Sequence, residues 1–176
     1  AINEGSGADT TSGFTPLEGV CGFFSSGSID TAVLIFLMDE ELYTTEELLD
    51  MLKLKSGISA LSQTETMDEF FKSKDKKAKT AIEFLSTQLV KAISSMAGAL
   101  NGPTTIIFSG ALIYENSALR DMVCAQLEFL GVKIDKKKNS KNEENISDPK
   151  SKIKILNIKE NELLLMARQV RSSIKR

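Results

Sequence analysis

The chain has no histidine at any of its 176 positions. That absence excludes a Ser-His-Asp or Cys-His nucleophile system, a histidine general base and a His-ligated metal built from this chain alone. Any chemistry has to use carboxylates, lysines, arginines, hydroxyls, backbone amides or a hard cation. Cysteine is scarce too: Cys21 and Cys124 stand far apart with no motif spacing. They read as reduced core thiols of a cytoplasmic protein rather than as redox or metal-binding groups. No apolar run reaches the about 20 residues needed to span a bilayer, the longest being 32–38. No signal peptide is visible, and the start at Ala1 lacks a basic stretch. A formal net charge of −2 gives no electrostatic reason to expect nucleic acid or an anionic membrane as partner.

What is present suffices for one domain. With 41% apolar residues, a chain of this length buries roughly 70% of its unfolded surface. There are no internal repeats and no clear linker, so residues 1–176 read as a single domain.

The first thirteen residues suggest a short hairpin, 1–3 with 8–11, turned at 4–7. Ser28 has the chemistry of an N-cap, with Asp30 in the first turn of a helix running to about residue 39. The run 32–38 is apolar all round, which leaves a buried strand open as an alternative. Thr44 and Glu47 form a capping-box pattern that opens a helix to about residue 54. Residues 56–62 read as a loop or a single turn, and 67–72 as a short helix. From 75 to 100, Ala78, Ile82, Leu85, Leu89, Ile93, Met96 and Leu100 keep a 3.6-residue period, ended by Asn101-Gly102-Pro103.

A β-branched strand follows at 104–108. A helix capped by Asn116 or Ser117 comes next, with Leu119, Met122, Val123, Leu127 and Leu130 on its core face and Gly131 as its stop. Residues 132–135 read as a strand, 136–152 as a solvated Lys/Asn/Glu-rich loop, and 153–158 as a strand. Asn161 then opens a last helix to about 174. Alternating strands and helices predict an α/β fold with a mostly parallel sheet flanked by helices.

The segment GFTPLEGVCGFFSSGSID (13–30) is the most specific motif. Read with Asp9-Thr10, Lys55-Ser56-Gly57, the loop FSGALIYENS (108–117) and Asn161-Glu162-Leu163, it resembles the C-terminal half of the acetate kinase family. Placed by the order of these motifs, the resemblance covers about the last 45% of a family member. It implies a ribonuclease-H-like lobe of the actin, sugar-kinase and Hsp70 type. It further implies ATP or ADP and Mg²⁺ as cofactors, and a short-chain carboxylate such as acetate or propionate as phosphoryl acceptor. The expected partners are a second copy of the chain, joined through this domain, and a separate N-terminal half.

Residue by residue, the resemblance sets Ser25 at the position of an arginine that stabilises the transferring phosphoryl group. A hydroxyl supplies neither a bidentate fork nor a permanent charge. Phe23 and Phe24 beside it are expected to pack in the core. Asp68 falls where the family has an adenosine contact, and reads equally as a surface helix residue. Gly110, Ala111, Glu115 and Asn116 fall in the loop whose backbone lies against adenine and ribose. That loop is one residue longer here, with bulkier side chains at two family glycines. Glu162 matches a magnesium-site glutamate; an acidic residue in a helix first turn, favoured by the dipole, accounts for it as well. The altered positions lie at the implied site, so the isolated chain is expected to form no acetyl phosphate. A degenerate, non-catalytic lobe kept for dimerisation or nucleotide binding is the alternative.

Overall fold

A computed structural model describes residues 1–40 and 42–174. The hairpin at the start is tighter than the sequence suggests. Strand β1 (Ile2–Asn3) pairs antiparallel with β2 (Ser6–Gly7), in the register Ile2↔Gly7. Glu4 and Gly5 both take positive φ (50° and 80°), the geometry of a two-residue hairpin turn that matches strand twist. Residues 8–11 therefore do not form the second strand, and Ala8 N–H donates to the Ala1 carbonyl instead.

Helix α1 (Thr31–Asp39) is capped by Asp30, whose carboxylate accepts the Ala32 N–H, rather than by Ser28. The Ser28 hydroxyl is engaged elsewhere, accepting the Gly19 N–H at 3.0 Å. Although apolar all round, α1 buries none of its residues, so neither a core helix nor a core strand forms there.

Helix α2 (Thr45–Leu54) has the complete capping box: Thr44 Oγ1 accepts from Glu47 N–H, and Glu47 returns an acceptor to Thr44 N–H. Residues 57–62, expected as loop or turn, form α3 (Gly57–Ser62). Helix α4 (Met67–Lys72) starts at Thr66 and α5 (Lys76–Ala99) at Asp75. Of the α5 period, Ala78 and Leu85 are buried and Ile82, Leu89 and Ile93 pack half-buried against the core, while Ala81, outside that period, is buried as well; the helix packs against α3 and, further along the chain, the helix 117–126. Truncating Leu85, only 1% exposed, to alanine would cost about 2–5 kcal/mol through lost transfer energy and an unfilled cavity.

Strand β3 (Thr105–Phe108) alternates inward Ile106 and Phe108 with the exposed Ile107. It leads through the single turn α6 (Ala111–Tyr114) into α7 (Ser117–Gln126), capped by the Asn116 side chain. A 3₁₀ turn at Glu128–Leu130 ends on Gly131. Residues 132–135 make only a bridge, Ile134↔Ser147, not a strand.

The segment 136–152 is not a solvated loop. It contains α8 (Lys136–Ser140), it buries Asn139 and Ile146, and Ile146 N–H donates to the Ile155 carbonyl at 3.0 Å. One isoleucine and one asparagine among many charges are too sparse to register as a hydrophobic period. Strand β4 (Lys154–Asn157) pairs parallel with β3, Ile106 opposite Ile155. Helix α9 (Glu162–Ile174), whose Leu164 N–H is taken by Asn161, buries none of its residues.

The parallel sheet is thus present as the pair β3–β4, with α5 and α7 against the face that carries Ile106, Phe108 and Ile155. Because the two strands run the same way, the segments that leave them, 109–116 and 158–161, emerge at the same edge. Ligands of open α/β sheets bind at this carboxyl edge.

Candidate functional site

The 13–30 motif is held by backbone rather than by charge. Residues 22–25 form a tight turn in which Gly22 N–H donates to the Ser25 carbonyl at 3.1 Å and meets the Ser25 hydroxyl at 3.2 Å. The carbonyls of this turn then cap the start of α3. Ser56 N–H donates to Phe24, Ile58 N–H to Gly22 and Ser59 N–H to Phe23, at 2.9, 3.1 and 2.7 Å. Such close approach requires Gly57. Its φ is +66°, and a Cβ there would lie 2.4 Å from the Gly22 carbonyl and 2.6 Å from that of Ser25.

This packing drives Phe23 into the core (6% exposed), edge-on to Phe24 with centroids 4.8 Å apart. Core packing therefore holds for Phe23, whereas Phe24 stays 44% exposed because its carbonyl, not its ring, is the anchored group.

Phe23 forms one wall of a cavity of about 400 Å³ together with Val20, Cys21, Met67, Leu85 and the segment 109–113. None of the described residues lining it is charged. The glycine of the loop sits at its rim with φ +97°, and a Cβ there would come 3.2 Å from Glu160 Oε1. Ser109 Oγ donates to the Ile158 carbonyl at 3.0 Å, tying the end of β3 to the segment after β4.

The residues singled out in the sequence separate into two groups. Gly110 and Ala111 line this cavity. Asp68 does not: it follows the lining residue Met67 but turns to solvent and pairs with Lys72 at 2.6 Å on its own helix. Asn116 caps α7 by accepting the Leu119 N–H at 2.9 Å. Glu115 ends α6 exposed. Ser25 is half-buried and its hydroxyl faces Gly22 N–H rather than the cavity. Glu162 lies in the exposed first turn of α9, outside the cavity lining.

Two residues escaped sequence reasoning. Glu160 stands over Gly110 because both strands end at the same edge. Arg120 is fully buried under the loop. Its signal was a cation four residues before Cys124 on the buried stripe of α7, a place where charge requires partners.

An apolar slot with backbone polar groups at its rim suits a flat heterocyclic base such as adenine. For a magnesium ion the fit is of a different kind. Among the described residues no group of three or more His, Cys, Asp or Glu could hold a metal. Magnesium nonetheless keeps most of its waters and takes one or two carboxylates plus substrate phosphates. Glu160 or Glu162 is chemically adequate for that, and a tight all-protein cage is not available. Both thiols are free and buried; burial pushes both up, Cys124 to about 12, so neither is a nucleophile at neutral pH.

A parallel strand pair flanked by helices, with the cavity at its carboxyl edge, is the ribonuclease-H-like lobe architecture shared with solved acetate and propionate kinases. The acetokinase family profile matches residues 1–168, and the chain belongs to that family. It is 38% identical over 174 residues to the acetate kinase of Carboxydothermus hydrogenoformans, covering 96% of this chain and 44% of the relative. Against the acetate kinase of Thermotoga maritima it is 35% identical over 185 residues, covering 100% of this chain and 46% of the relative.

Among solved structures, a propionate kinase from Francisella tularensis superposes with a TM-score of 0.88 at 30% identity, over 95% of this chain and 44% of the other. The acetate kinase of Porphyromonas gingivalis gives 0.89 at 26%, over 97% and 45%. The chain spans less than half the length of the relatives it matches, 44% and 46% of the two named.

Proposed function

We propose that this chain is the C-terminal, nucleotide-side half of an acetate or propionate kinase, folded as one domain over residues 1–176, acting in the cytoplasm. It would take part in phosphoryl transfer between ATP and a short-chain carboxylate, and have no turnover alone. The observation that carries this reading is the uncharged cavity of about 400 Å³ between residues 20–23, within the motif most like the family, and the 109–113 loop. Phe23, Leu112 and Ile113 would sandwich the base, and the backbone at Gly110 and Ala111 would meet its polar edge. Glu162, with Glu160 nearer the loop, would hold Mg²⁺ through water; the ion would neutralise charge on the phosphate oxygens.

Partners follow from the same reading. Catalysis of phosphoryl transfer is mainly positioning and charge cancellation, and Ser25 supplies no cation. A complementary half would bring the missing phosphate- and carboxylate-binding groups. Self-association through this domain is supported by α1, which presents Val33, Ile35 and Phe36 to solvent at 44–57% exposure. A second reading, a degenerate lobe kept for dimerisation or nucleotide binding, is favoured by the Ser25 hydroxyl, which is already engaged with Gly22 N–H.

Calorimetric titration with Mg-ATP, then Mg-ADP, separates the two. One-site saturable binding without acetyl phosphate formation supports the kinase-half reading. No heat up to millimolar nucleotide refutes the nucleotide site and leaves self-association.

A further inference from the structure

Arg120 is fully buried, yet it faces no carboxylate within ion-pair distance among the described residues. All five of its donors are engaged with neutral oxygens. Nε donates to Asn139 Oδ1 at 2.7 Å, and Nη1 to the carbonyls of Ile113 (2.8 Å) and Tyr114. Nη2 donates to the Asn139 carbonyl at 2.9 Å and to Asn142 Oδ1 at 2.6 Å. Asn139 Nδ2 in turn donates to the Ser117 carbonyl at 2.9 Å. A buried cation needs compensation, and here every hydrogen bond it donates goes to an amide oxygen. Two of those oxygens belong to the last carbonyls of α6, at a helix C-terminus, where positive charge is welcome. Ile113 is a wall residue of the cavity; Arg120 is not.

We propose that Arg120 is a positioning residue: with Asn139 and Asn142 it clamps the 110–114 wall, so that the lysine-rich 136–152 segment sets the cavity's shape from outside it. The guanidinium fork is required because its planar donors span α6 on one side and α8 on the other. A lysine offers one compact charge and cannot bridge both. The consequence for nucleotide affinity rests on the proposed kinase reading; the clamp itself does not.

The test uses the full chain and perturbs the far end of the clamp. Asn142 has φ +53°, so Asn142→Gly removes the acceptor without backbone strain, while Asn142→Asp keeps an acceptor oxygen there. The Ile113 and Tyr114 amides, both bonded to the Gly110 carbonyl (3.1 and 2.9 Å), report the wall. Their hydrogen exchange is expected to quicken about tenfold or more in Asn142→Gly, as befits loss of one charge-assisted bond. The Asp variant should restore wild-type exchange, and amides of α5 should not change in either. Unchanged exchange at 113–114, or an equal increase throughout the chain, overturns the clamp.

Mg-ATP titration is the second readout. Affinity weakened about fivefold to tenfold in Asn142→Gly and regained in Asn142→Asp supports the link to the ligand, and equal affinity overturns it. If the wild-type chain binds no Mg-ATP, the kinase reading fails, and the exchange data alone decide the clamp.

Discussion

Two glycine-to-alanine substitutions should move stability in opposite directions, because one glycine lies under three carbonyls and the other in open space. At Gly57, φ +66° already costs an alanine roughly 1–2 kcal/mol. The new methyl would also lie 2.4, 2.6 and 2.9 Å from the carbonyls of Gly22, Ser25 and Phe23. Relief requires the 22–25 turn to retreat, breaking the hydrogen bonds from Ser56, Ile58 and Ser59, each worth about 1 kcal/mol net. The total is about 4–5 kcal/mol, or a fall in Tm of about 8–20 °C for a chain of this size. At Gly98, inside α5, a Cβ meets nothing within 4 Å. There alanine should add about 0.5–1 kcal/mol through helix propensity. Urea unfolding of both variants beside wild type measures the pair. A Gly57→Ala loss under about 1 kcal/mol at unchanged m-value would refute the account of how the 13–30 motif is held.

Other outcomes follow from single groups. The Glu47 carboxyl is held below the usual 4.5 by accepting from the Thr44 backbone and hydroxyl. A depressed carboxylate stabilises the fold above pH 4.5, and that contribution disappears as pH falls through its lower folded value. Thr44→Ala should therefore lower Tm at pH 7 and narrow the difference between pH 7 and pH 3; an unchanged difference refutes it. A disulfide reagent at pH 8 should leave Cys21 and Cys124 unmodified in the native chain and label both after unfolding. Above about pH 9 stability should fall, because the unfolded thiols ionise while folded Cys124 keeps its proton to about 12. Asn157, 2% exposed with neither side-chain polar atom partnered among the described residues, should become a stabilising site when changed to valine, by about 1–3 kcal/mol in thermal unfolding. A loss of stability there would mean that the amide has an ordered partner.

Elements whose start signals are local were legible in the sequence. The capping box at Thr44, the Asp75-capped α5 and the Asn116-capped α7 each carry an acceptor, a donor and an apolar period within a few residues. Helix α3 was not, because its first N–H groups are satisfied by carbonyls some thirty residues upstream and by no side chain of its own. Ser28 and Asp30 are both competent caps, and only the Gly19 contact decides between them. The 136–152 segment failed for a related reason, since its structure depends on Asn139 and Ile146 finding Arg120 and β4. At the cavity, Gly110 and Ala111 are residues that the family motifs single out and that line it. Glu160 carries no local pattern and becomes visible only when β3 and β4 are known to run parallel.

The placement of cations gives the sharpest constraint on chemistry. The chain's arginines are Arg120, Arg168, Arg171 and Arg176. Arg120 has all five donors engaged with the loop, α8 and Asn142, so it cannot turn to a phosphate without releasing the cavity wall. Arg168 and Arg171 lie on α9, which buries none of its residues, and Arg176 lies outside the described residues. Lys55, the family-like lysine, pairs with Asp50 at 2.5 Å, and that hydrogen bond raises its pKa. An arginine substituted at Ser25 would not by itself restore the fork, since the Ser25 hydroxyl and carbonyl both face Gly22 N–H and the turn is locked beneath Gly57. On the proposed kinase reading, the cavity for the base is made of core side chains that folding itself requires, whereas no arginine or lysine is among the described residues that line it.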